Sequence, residues 1–253
     1  MKYLFPIFIS ILFFFSCVEN KEVKPHQKHL TAQAIIDKAI DISCQGNCDQ
    51  VAIEFIFRDR IYKSKRSQGD YLLERFKTDS LDVIHDMLSN SGLKRFINDS
   101  LVTVPDSMAI NIGDGVNSVH YFAQLPYGLN SGAVHKKLLG EDTINGKTYY
   151  EIEVTFSEEG GGTDFDDRFV YWIHKKDFTV DFLAYKYATN GGGMRFREAY
   201  NVRTVKGIRF VDYNNYKPKS LEYKLEDLDN LFEKEELKLL SKIETEDVKV
   251  DIL

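Results

Sequence analysis

At 253 residues with 43% apolar content, the chain suits one well-cored domain, with or without short additions. Its net charge of −6 arises from 39 acidic and 33 basic residues. These interleave along the whole chain, so no dedicated phosphate-binding surface stands out, which argues against nucleic acid as a partner. The 14 Tyr and 18 Phe favour strands over helices.

Met1–Ser16 is a short basic start followed by the apolar run YLFPIFISILFFFS. It is too short to span a membrane comfortably, and Pro6 interrupts it, as in a secretory signal. Cys17 directly after Ser16 resembles a bacterial lipoprotein signal, cut before an acylated cysteine. Loss of Lys2 with that segment leaves a mature charge of about −7. Residues 17–29 are charged, contain Pro25 and lack periodicity, which reads as a flexible tether. His26 and His29 are solvated there, since two mobile histidines are too few for a metal.

The folded domain is expected over 30–253. Thr31 caps a helix over Ala32–Ile42 with Ile35, Ile36, Ala39 and Ile40 on one face, and Leu30 staples its entry. Cys44 and Cys48 read as a structural disulfide outside the cytoplasm. Free thiols, a zinc site and a redox pair are the alternatives, but zinc wants a second ligand pair and the spacing differs from thioredoxin-like motifs. Strands are expected at Val51–Arg58, Arg60–Lys65, Asp70–Lys77 and Leu81–Leu88, separated by polar turns. His85 lies in the last of these as a packed or solvent-facing residue. Pro105–Asn130 breaks the rhythm with a broad apolar surface. It predicts one or two helical pieces, broken near Gly113–Gly115 and stopped at Pro126.

The second half is a meander. Val134–Ile144 runs into Asn145-Gly146, a strong hairpin signal, and Lys147–Ser157 alternates beyond it. In that strand Tyr150, Ile152, Val154 and Phe156 are expected inward, with Tyr149 outward. Four antiparallel strands follow at Asp167–Lys175, Thr179–Ala188, Met194–Val205 and Ile208–Lys217. Leu225–Phe232 reads as a short helix and Leu237–Val250 as a last strand.

Several stretches look like the second half of LolA/LolB-like lipoprotein carriers. They are Gly146-Lys-Thr-Tyr-Tyr150, Tyr171-Trp-Ile173 ahead of Thr179–Tyr187, Tyr200-Asn-Val-Arg-Thr-Val-Lys-Gly-Ile208, and Asp212-Tyr213. From Thr31 onward the chain is also similar to uncharacterised Bacteroidetes lipoproteins. That likeness rests on Tyr121–Asn130, Gly161–Asp167 and Gly191–Arg197. The resemblance implies a mainly β (α+β) fold: a single antiparallel open half-barrel with covering helices and an apolar space between them. It implies no demonstrated activity.

The main functional expectation is therefore a cell-envelope lipoprotein, anchored to the membrane through acylated Cys17, that binds a lipid or other apolar or amphiphilic molecule without a cofactor. Expected ligand contacts are Val119, Phe122, Leu125, Tyr127, Leu129, Trp172, Tyr185 and Phe196. Arg195 and Arg197 are candidates to receive an anionic headgroup, because guanidinium binds such groups in bidentate fashion. His174 shares a strand face with Trp172 and, beside a carboxylate, has the chemistry of a general base. An extracytoplasmic enzyme using His174, Arg195 and Arg197 is thus an alternative, although nucleophile-elbow, phosphate-loop and HExxH motifs are missing. Asp164, Asp166 and Asp167, on a glycine-rich loop, are weak oxygen ligands for a hard cation, and their bland role is to cap turns. A third reading is a structural lipoprotein that docks an envelope protein.

Overall fold

The computed structural model describes residues 30–253. The signal segment, Cys17, the tether, His26 and His29 lie outside the described residues. Helix α1 (Ala32–Cys44) begins where Thr31 Oγ1 accepts the Ala34 N–H at 3.2 Å, and it ends at Gln45 in the left-handed conformation. The predicted face is the buried one: Ile35, Ile36 and Ala39 are sealed from solvent. Cys44 at the end of α1 is disulfide-bonded to Cys48, just before β1 (Gln50–Phe57).

Strand β1 alternates without interruption, burying Val51, Ile53, Phe55 and Phe57. It is followed by β2 (Arg60–Ser67), β3 (Asp70–Asp79), β4 (Asp82–Ser89), β5 (Gly92–Ile97) and β6 (Ser100–Val102). Next comes α2 (Asp106–Ala123) and a 3-10 turn at Tyr127–Asn130. The meander comprises β7 (Val134–Ile144), β8 (Lys147–Phe156), β9 (Arg168–His174), β10 (Val180–Tyr187), β11 (Gly193–Val205) and β12 (Ile208–Lys217). A 3-10 turn at Leu225–Asp227 leads into α3 (Leu228–Glu233), and β13 (Lys238–Ile243) and β14 (Glu246–Ile252) end the described chain.

These strands form two open antiparallel sheets of seven, in the orders β14-β1-β2-β3-β4-β5-β6 and β13-β12-β11-β10-β9-β8-β7. The mainly β, open and helix-covered architecture is as expected. The inner faces of both sheets meet α1, the end of α2 and the Tyr127–Asn130 turn in one apolar cluster. Burying a large side chain there contributes roughly 1.5–3 kcal/mol. A second cluster lies on the outer face of the β7–β13 sheet, where the Leu225–Glu233 segment covers Ile144, Tyr149, Val170, Trp172, Phe182 and Phe196. The meander is therefore buried on both faces.

Three sequence expectations are corrected. First, α2 runs unbroken through Gly113 and Gly115. A Cβ on Gly115 would sit a tight 3.1 Å from Arg75 Nη1, whereas one on Gly113 would make ordinary contact, 3.6 Å from Leu88 Cδ1. Second, the strand expected over Leu237–Val250 is two strands in different sheets: β13 pairs with β12, and β14 with β1. Third, Tyr149 faces outward as expected, but the Leu225–Glu233 segment covers that outer face, so the side chain is buried in the second cluster. The sequence reading places no strand at β5 or β6, whose few residues carry little alternation.

Beneath α2, the inner face of β3–β5 carries a buried charge cluster. Asp86, 2% exposed, accepts from Arg75 Nη2 at 2.7 Å and Arg95 Nε at 2.6 Å. Burial pushes this carboxyl up, but the two guanidinium partners outweigh it and hold it below its usual value.

Candidate functional site on the inner face of the meander

The expected contacts fall on two faces. Val119, Leu125 and Leu129 are buried in the inner cluster, and Phe122, Tyr127 and Tyr185 pack against it. Trp172 and Phe196 are not there. Both are buried on the outer face with α3, in edge-to-face contact at 5.6 Å between ring centroids. For Trp172 the physical reason is the run Phe169-Val-Tyr-Trp-Ile173. With apolar neighbours on both faces, a strand loses the alternation that would tell its faces apart. Tyr171, its neighbour, is the inward residue.

His174 stands on the Trp172 side of β9, within 5.4 Å of the Tyr149 ring. Its Nδ1 accepts the Asp177 N–H at 3.2 Å and lies 3.0 Å from the Asp177 carboxylate, closing the β9–β10 turn. Arg197 is on the opposite face of the sheet, so the enzyme arrangement of His174 with Arg195 and Arg197 is not assembled. Arg195 donates to the Met194 carbonyl at 2.9 Å and lies over the Tyr187 ring. Among the described residues, no group of three or more His, Cys, Asp or Glu has a metal-holding arrangement, and Asp164, Asp166 and Asp167 form none. Burial, then neighbouring Asp164, pushes the Asp167 carboxyl up to about 6.

The inner face does bring together a set of polar groups around Arg197. Register places Arg197 opposite Leu183, and Leu183 opposite Tyr171, so these side chains form one row across β11, β10 and β9. The Arg197 guanidinium lies 5.0 Å from the Tyr185 ring centroid, 5.1 Å from that of Phe122 and 5.9 Å from that of Tyr213. Each ring is close enough for cation–π attraction. Arg197 Nη2 donates to Tyr185 Oη at 2.9 Å. Its Nε is buried without a hydrogen-bond partner, and among the described residues no carboxylate reaches ion-pair distance of it. Next to it, the Tyr121 and Tyr171 hydroxyls are 3.0 Å apart. Burial pushes Tyr121 and Tyr213 up to about 12, and Tyr171 well above its usual value, so all three stay neutral donors.

The segment that closes this site is held from the other side. Asn130 Nδ2 donates to Asp37 of α1 at 2.7 Å, and Tyr127 Oη donates to Asp49 at 2.9 Å. The Arg66 guanidinium lies over the Tyr127 ring at 3.9 Å. The apolar side chains of helices and sheet meet in one packed cluster where the open cavity was expected. The enclosed space beside Cys44, Gln124, Leu125 and Ile208 amounts to about 10 Å³, room for one water and not for an acyl chain. The tyrosines 121, 171 and 213 escaped the sequence reading. The one available signal was that Arg197 alternates with buried Phe196, which places the residues facing Arg197 on a separate surface.

Comparison with solved structures finds related shapes. A LolA superfamily protein from Nitrosomonas europaea is 16% identical, with 89% of this chain and 96% of that chain covered and a TM-score of 0.49. A DUF1329 family protein from Desulfovibrio piger is 11% identical, with 88% and 94% covered and a TM-score of 0.43. The Mycobacterium tuberculosis lipoprotein LppX is 10% identical, with 63% and 88% covered and a TM-score of 0.29. No ligand or activity passes to this chain on scores of that size. No curated protein matches the chain. At the level of sequence families, residues 10–245 match the profile of DUF6503, a family of unknown function, and the chain belongs to that family.

Proposed function

We propose that this protein is an envelope lipoprotein, tethered through Cys17, that binds an anionic amphiphile between the α2–Asn130 segment and the inner face of the meander. The observation that carries the reading is Arg197: a half-buried guanidinium between three aromatic rings, with a buried Nε that has no partner. A half-buried guanidinium with one N–H sealed off and unpartnered is under-satisfied, and an anionic headgroup is the group that would complete it. Tyr121, Tyr171 and Tyr213 add hydroxyl donors beside it. The apolar body of the ligand would take the place of Phe122 and Leu125, so entry requires the end of α2 to lift from the sheet.

The test is native mass spectrometry of the Cys17→Ser chain purified without detergent, followed by titration with a lysophospholipid. A lipid-sized bound mass lost on organic extraction is expected. Arg197→Met should weaken lysophospholipid uptake by roughly 10- to 100-fold, the scale of one lost charge-assisted hydrogen bond. A clean apo mass with no uptake of the probe would refute the reading.

A second reading, docking of an envelope protein, draws on the outer face of the other sheet. There Ile61, Phe76, His85, Phe96 and Leu101 stand opposite one another in a continuous cross-strand row. Leu101 is 64% exposed, and Phe76 stacks on His85 at 4.0 Å. Phe96→Glu would abolish capture of such a partner while leaving lysophospholipid uptake intact.

A further inference from the structure

The outer face of the meander holds a second recess, unconnected with Arg197. Arg168, Lys186 and Met194 are direct register partners across β9, β10 and β11, so they form a straight row on the face that also carries Trp172. The Leu225–Glu233 cover ends above this row. Between the row and the Tyr223–Glu226 segment remains a half-open cleft of about 460 Å³. That volume falls within the usual range for small-molecule sites.

The lining divides by chemistry. Met194 and Leu225 are buried and make an apolar floor, and Tyr223, 37% exposed, stands as an aromatic wall. Arg168 is ion-paired to Glu153 and Glu226, which fixes its position and leaves one carboxylate charge in excess there. Lys186 and Lys224 also line the cleft, and among the described residues neither makes an ion pair. The two ammonium groups outweigh that excess carboxylate, so the cleft carries a small net positive charge above an apolar floor, although the whole chain is acidic at −6.

We infer that this cleft binds a small organic anion: a phosphate, sulfate or carboxylate held by Lys186 and Lys224, with a flat apolar body set between Tyr223 and Met194. Two ammonium groups supply the attraction, and the ring and thioether supply the contact that a bare inorganic ion cannot use. Because α3 continues from the same segment, an occupant would also clamp the cover onto the sheet.

The test uses the full chain in nanodiscs of zwitterionic lipid, with empty nanodiscs as blank, titrated calorimetrically with 1-naphthyl phosphate. Binding is expected, weakening on addition of salt. The double variant Lys186→Glu/Lys224→Glu should lose at least tenfold in affinity, and Tyr223→Ala should lose several-fold. Arg197→Met should leave the affinity unchanged, which separates this cleft from the inner site. Inorganic phosphate alone should bind at least tenfold more weakly. No binding of the naphthyl probe, binding indifferent to the double substitution, loss with Arg197→Met, or equal affinity for inorganic phosphate would each overturn the assignment. Circular dichroism of every variant checks that the fold is retained.

Discussion

Replacing Asp86 by Asn tests the account of how α2 is seated. The wild-type carboxylate is almost wholly buried and bridges Arg75 and Arg95, themselves 12% and 21% exposed. The amide side chain would keep the volume but leave two guanidinium groups confined under a helix without a counter-charge. Breaking a buried pair this way costs about 3–5 kcal/mol. For a domain of this size each kcal/mol moves Tm by about 2–4 °C, so the expected fall is on the order of 10 °C. The assay is thermal unfolding followed by circular dichroism at pH 7. The pH dependence gives a second check. Asp86 is held below its usual value when folded, so its contribution is present at neutral pH and lost as pH falls through its folded pKa. The gap between wild type and variant must therefore shrink in acid. Replacing all three groups together (Arg75→Met, Asp86→Leu and Arg95→Met) should be far milder than the single change, since apolar groups of similar volume often substitute for a buried ion cluster. A Tm change below about 2 °C for Asp86→Asn, or a triple variant worse than the single, would refute the reasoning.

Other outcomes follow from the same physics. Asp229 is buried against the meander, and burial, then its hydrogen bond with Asp142, pushes it up to about 7. Its stabilising protonated form is fully present below the unfolded value and lost as pH rises through about 7, so Asp229→Asn should gain stability relative to wild type between pH 5 and pH 8, read by urea melts. His120 is buried between the Phe55 and Tyr62 rings, and burial lowers it to about 4. Its ring should stay neutral at pH 5.5 by NMR, and its contribution should fade as pH drops from about 6.5 towards 4. Trp172→Ala should cost about 3–5 kcal/mol in chemical denaturation yet leave lysophospholipid uptake unchanged where the protein remains folded, because the side chain lies on the face away from Arg197.

The legible parts of the fold were those where one face is wet and the other dry. Val51–Phe57 alternates because only one of its faces is buried, and α1 shows its helical stripe for the same reason. Phe169–Ile173 offers no such contrast, since the inner cluster takes Tyr171 and Ile173 while α3 takes Val170 and Trp172. That is why the face of Trp172 could not be told from sequence, and it lies with Phe196 on the face opposite the other expected contacts. Gly113 and Gly115 mislead in a different way. Local propensity treats them as breaks, whereas packing of α2 on the sheet overrides that preference, and Gly115 sits in a tight spot beside Arg75. The Arg197 cluster was half legible: the arginine was identified, but the tyrosines around it come from three elements far apart in sequence.

The two strands at the end of the chain carry a consequence for biogenesis. Strand β1 has only one neighbour, β2, until β14 arrives, and Glu54 meets Lys249 from 195 positions away. A chain folding from its N-terminal side thus presents Val51–Phe57, an apolar strand with an open edge, until β14 docks. The sheet is completed only when β14 docks, so the interval before that step is the period in which the folding chain is most exposed to edge-to-edge aggregation.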